Sequence, residues 1–84
     1  MWEIVICESD ENFAALLTEK VKAFYNAREF EIATRIYPDG QSFIDALDQL
    51  EQSMDLIFLN TRLSDMSGFA AASLFSVWIA LKTS

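Results

Sequence analysis

Apolar residues along this chain form runs of two kinds. Ile4-Val5-Ile6-Cys7 is continuous and rich in β-branched residues, and Asp55-Leu56-Ile57-Phe58-Leu59-Asn60 is continuous inside a polar residue at each end. Short continuous runs read as strands buried on both faces, as at the centre of a parallel sheet. Residues 30–37 alternate instead, with Phe30, Ile32, Thr34 and Ile36 set against Glu31, Ala33, Arg35 and Tyr37. Alternation marks a strand with one exposed face, which suits a sheet edge. Between the first two strands Phe13, Leu16, Leu17, Val21 and Phe24 recur at helical spacing after the candidate N-caps Ser9 and Asp10. They predict a helix over residues 11–27, with Glu19, Lys20 and Lys22 on its wet side. Pro38-Asp39-Gly40 is a turn by residue chemistry, and Phe43, Leu47 and Leu50 then predict a helix over about residues 41–52.

Strand, helix, strand, helix, strand is the pattern of a three-layer α/β fold with a parallel sheet. With the alternating strand at the edge and right-handed crossovers, the spatial order is 2-1-3, as at the start of a flavodoxin-like sheet. The tail reads in two ways. Ala70, Leu74, Val77, Trp78 and Leu81 fit one helical face, and the Ala-rich stretch supports a helix. Val77-Trp78-Ile79-Ala80-Leu81 also reads as a fourth strand. The helix is the preferred reading.

At 84 residues the chain has room for one domain, burying only about 60–65% of its unfolded surface. With 52% hydrophobic residues it is not a disordered segment. The net charge of −7 and the scatter of its basic residues (Lys20, Lys22, Arg28, Arg35, Arg62, Lys82) argue against direct nucleic-acid binding. There is no histidine, which removes most zinc sites and the Ser–His and Cys–His nucleophiles. The lone Cys7, inside an apolar run, is expected to be a buried reduced thiol. Met1-Trp2-Glu3 does not open a signal peptide, and no run has the roughly 18 apolar residues of a membrane span. The expected location is the cytoplasm.

Ligands of open α/β sheets bind beyond the carboxyl ends of the strands, where the strand order reverses. Here Glu8, Ser9 and Asp10 leave the first strand and Asn60 ends the third. Acidic residues converging there suit a hard divalent cation, typically Mg²⁺. Each residue also has a plainer role. Glu8 and Asp10 can favour a helix N-terminus, and Asn60 can be a turn residue at a strand end.

Ile-Val-Ile-Cys-Glu-Ser-Asp-Glu-Asn-Phe at residues 4–13 resembles the opening of response-regulator receiver domains, most closely regulators with a LytTR-type DNA-binding domain. Residues 55–68, Asp-Leu-Ile-Phe-Leu-Asn-Thr-Arg-Leu-Ser-Asp-Met-Ser-Gly, are similar to the family's phosphorylation segment. Asp39-Gly40 fits its second strand-to-helix turn. The resemblance covers the chain to about residue 75 and is most specific from Asn60 to Gly68. It implies a receiver-like domain, missing later strands and any output domain, with Asn60 at the phospho-acceptor position and metal ligands at Glu8, Ser9 and the Arg62 backbone carbonyl, with Asp10 a further candidate. It also implies a histidine kinase or another regulator as partner and a role in two-component signal transduction and transcription regulation.

The departures change the chemistry. An amide cannot form the acyl phosphate. Ser9 stands where the family has a second acid, so Mg²⁺ should bind weakly. Ser64 replaces the usual loop proline and should loosen that turn. The family's later Ser/Thr and Lys belong to a fourth and fifth strand not found here, and Thr83 or Ser84 can imitate the Ser/Thr only if the tail is a strand. The resemblance therefore implies a degenerate, non-enzymatic receiver acting by protein contact. The alternatives are a phospho-acceptor whose Asp has been altered to Asn, or an inactive fragment. An uncovered third strand would be an apolar open edge, so a homodimer or higher oligomer is expected, through that edge or the tail.

Overall fold

The computed structural model describes residues 1–50, 52–60, 62–66 and 79–82. Its elements are β1 (Trp2–Cys7), α1 (Glu11–Asn26), β2 (Ile32–Tyr37), α2 (Gly40–Leu50), β3 (Leu56–Asn60) and β4 (Ile79–Lys82). All strand pairs are parallel, and the sheet order is β2-β1-β3-β4. The expected 2-1-3 order is therefore present, with β1 central and β2 at an edge. The chain path leaves β1 one way for β2 and returns past β1 to β3. Right-handed crossovers in opposite directions put α1 and α2 on opposite faces, which makes the three-layer α/β arrangement of a flavodoxin-like sheet.

The face under α2 is the better packed. Val5, Cys7, Phe43, Leu47, Leu50, Met54, Ile57 and Leu59 form one buried cluster, and Tyr37, Leu63 and Met66 pack against it. Ile4 and Ile6 alternate with Val5 and Cys7, so they point to the other face, and they are fully buried as well. β1 is thus covered on both sides, as its unbroken apolar run requires.

α1 is less amphipathic in fact than in spacing. Ala14 and Val21 are buried, whereas Leu16 and Phe24 are each 50% exposed. Phe24 is shielded locally instead. The Arg28 guanidinium lies 3.6 Å over its ring, and Tyr25 meets it edge-on at 5.2 Å. Helical spacing identifies a stripe, but not how much of it the neighbouring elements cover.

The tail is the main correction. Ile79–Lys82 is a strand paired with β3 through Ile57↔Ile79 to Asn60↔Lys82, not a continuation of a helix. An isolated apolar run carries no record of the strand edge that waits for it, so periodicity could not decide the matter. This also removes the reason given for an oligomer through β3, because β4 occupies that edge. The helical reading of residues 69–76, together with Ser67, Gly68, Thr83 and Ser84, falls outside the described residues. Among the described residues, no helix is long and apolar enough to cross a membrane.

Among the described residues Phe43 is the largest fully buried side chain, and it anchors α2 to the sheet. Phe43→Ala should cost about 3–5 kcal/mol through lost burial and the cavity left behind. That is a large share of the roughly 4–13 kcal/mol expected for a domain of this size. Urea denaturation should show the midpoint collapsing, whereas Leu16→Ala on the exposed side of α1 should shift it little.

Candidate functional site

Three loops meet at the carboxyl end of the sheet because β1, β2 and β3 are adjacent and parallel. Glu8 follows Cys7 out of β1, and Asn60 closes β3 one step beyond the paired Cys7↔Leu59. Both are buried, at 4% and 6% exposure. A carboxylate and an amide in that position must be hydrogen-bonded. Asn60 Nδ2 donates to Glu8 Oε2 at 2.8 Å, and Asn60 Oδ1 accepts from the Arg62 N–H at 2.9 Å. The Asp10 N–H adds a second donor to Glu8 Oε2 at 3.2 Å.

Ser9 joins all three loops. Its hydroxyl donates to the Pro38 carbonyl at 2.7 Å and accepts from the Ser64 N–H at 2.9 Å. A proline at position 64 would have no N–H to give. The turn expected to loosen at Ser64 is instead tied to β1's exit, and the serines at 9 and 64 work as a pair.

Asp10 is the N-cap of α1, with Oδ1 accepting from the Phe13 N–H at 3.0 Å. The plainer reading of Asp10 is the one its geometry fills. α2 is capped twice. Asp39 Oδ1 accepts from the Ser42 N–H at 2.7 Å, while Asp65 accepts from the Gly40 and Gln41 N–H groups at 2.8 and 2.9 Å. Asp65 thereby fastens the β3 loop to the head of α2. Met66 lies so close to Gly40 that a Cβ there would run into its side chain. Sequence reasoning missed Asp65, since nothing in local patterning links it to a helix that starts on the far side of β3. Asp39 before Gly40 was the available signal for the other cap.

Of the residues expected at the site, Glu8, Ser9 and Asn60 come together with the Arg62 backbone, while the Arg62 side chain is exposed and Asp10 turns to its helix. These donors are already engaged within the protein: Glu8 Oε2 receives an amide and a backbone N–H, Ser9 is bonded on both sides, and Asp10 caps α1. Among the described residues no group of three or more acids or Cys forms a metal-holding cluster. An open cleft of about 520 Å³ lies beside the first turn of α1, lined by Glu8, Ser9, Glu11, Asn12, Ile36 and Pro38, and it does not include Asn60.

Cys7 lies beneath this network, as a free, buried thiol. Burial, and then the negative charges of Asp39, Asp65 and Glu8, push its pKa up from 9.0 to about 12. The thiolate is the reactive form, so the native thiol is inert. Compared with known proteins, the chain matches no family model and no curated protein.

The Gly40 N–H holds the Asp65 carboxyl below its ordinary 3.8, with some loss of hydration opposing and the Gln41 N–H adding to the effect. A depressed folded-state pKa contributes stability above the unfolded value, which is lost as pH falls through the lowered one. Asp65→Asn should therefore lower stability at neutral pH and flatten the acid side of the stability–pH curve. Acid limbs that superimpose for the two proteins would show that Asp65 contributes nothing there. Cys7 should resist iodoacetamide in the native state at pH 8 and react once the chain is unfolded in urea. Labelling at equal rates in both states would contradict its burial.

Proposed function

We propose that the chain is a degenerate receiver-like module of two-component signalling, acting by protein contact without accepting a phosphoryl group. The observation that supports this reading is the double commitment of Asn60, whose amide nitrogen meets Glu8 and whose oxygen meets the Arg62 N–H. In a phosphorylatable receiver that position needs a carboxylate nucleophile and a neighbouring cation. Here the amide supplies its own positive end to Glu8, and the Asp10 N–H adds a second donor to the same carboxylate. On this reading the module is cytoplasmic, and its partners are a histidine kinase or another regulator. Its output is control of transcription through a partner or a linked DNA-binding domain, consistent with the acidic chain making no direct contact with DNA.

The test is the intact mass of the native chain and of Asn60→Asp after incubation with acetyl phosphate and Mg²⁺. The expected result is no gain on the native chain and a phosphate-sized gain on Asn60→Asp. A gain on the native chain would overturn the proposal. A gain on neither, with Asn60→Asp folded by circular dichroism, would remove the receiver part and leave a contact module of another kind.

A further inference from the structure

β2 is an edge strand, and its sequence is complementary to itself. Edge strands are commonly protected by proline, a bulge or inward-pointing charge. Ile32–Tyr37 has no proline, and its register with β1 runs unbroken from Trp2↔Ile32 to Cys7↔Tyr37. The Trp2 N–H donates to the Glu31 carbonyl and the Glu8 N–H to the Tyr37 carbonyl. By the alternation of a parallel ladder, residues 31, 33, 35 and 37 turn their backbone groups to β1. Ile32, Thr34 and Ile36 turn theirs outward.

We infer that β2 pairs antiparallel with β2 of a second copy across a two-fold axis at Ala33, making one continuous sheet. In this register Ile32 of each copy faces Thr34 of the other, and all four residues carry outward backbone groups, as a hydrogen-bonded pair requires. Glu31 faces Arg35 of the partner copy, and Arg35 faces that copy's Glu31. Opposite charges directly across a strand pair attract. Arg35 has capacity for this contact: its side chain is 52% exposed and, among the described residues, its ion pair is a long one of 3.7 Å with Glu3. At each end Phe30, 50% exposed, meets Ile36, 45% exposed, so two apolar side chains leave water together. The ladder stops there, because the Phe30 N–H is already given to the Tyr25 carbonyl. With the axis one outward residue further on, at Thr34, Arg35 would face Ala33 and both ion pairs would be lost; with the axis at Ile32 it would face Glu29, which lies before the strand with a φ of 62° and is not in extended backbone.

Sedimentation velocity over a concentration series of the full chain tests the idea. The native protein should pass reversibly from monomer to dimer. Arg35→Glu and Glu31→Arg should each weaken the dimer roughly thirtyfold, as two attractive pairs become repulsive. The double variant Glu31→Arg/Arg35→Glu should recover to within about threefold, since it restores both pairs in swapped form. Within one chain the two side chains are about 13 Å apart along the strand. Recovery therefore reports the contact between copies and not a repaired monomer. Thr34→Pro removes an outward N–H that β1 does not use, so it should abolish dimerisation while the thermal melt of the monomer persists. A monomer throughout the soluble range would overturn the inference, as would a dimer indifferent to the single charge reversals or a double variant as weak as either single.

Discussion

A carboxylate that emerges from a strand buried on both faces has to be answered by donors, and Glu8 is in that position. β1 carries it to the point where the sheet order reverses, with 4% of its surface exposed. Leaving such a charge unmet costs several kcal/mol. Donors arrive from the two neighbouring loops, the Asn60 amide from β3 and the Asp10 N–H from the start of α1. Once Asn60 is turned toward Glu8, its oxygen is placed to accept from Arg62, which sets the first turn of the loop that follows. Ser9 and Asp65 then bind that loop to the β2–α2 turn. The site is a chain of local consequences of one buried charge.

How far this was legible in the sequence depended on whether the deciding partner was near in the chain. The α2 face was readable, because Phe43, Leu47 and Leu50 fall on the same side whatever lies below and all three are buried. The two central strands were readable for a similar reason, since an unbroken apolar run has no side to show to water. Leu16 and Phe24 had the right spacing and remain half exposed, because spacing marks a stripe without recording what packs over it. The tail failed for a related cause. Whether Ile79–Lys82 coils or pairs is settled by the free edge of β3, and no residue within the run records that edge.

At the site, residue types were legible and their connections were not. Glu8, Ser9 and Asn60 could be assigned to one end of the sheet from topology alone. That the hydroxyl at Ser9 would bridge Pro38 to Ser64, across intervals of 29 and 55 residues, could not. Two features that looked like separate losses, a serine for an acid and a serine for a proline, are the two halves of one hydrogen bond.

Such pairing makes the positions of the site depend on one another in a way that single residues would not. A carboxylate at position 60 would set two acids 2.8 Å apart where an amide now meets one. A proline at 64 would leave the Ser9 oxygen without its backbone donor. Each such change, made alone, begins by breaking something that the present pocket relies on. Changes at these positions are therefore uphill unless several are made together. Epistasis of this kind locks the residues to one another, since the hydrogen-bonded pocket penalises replacing them one at a time.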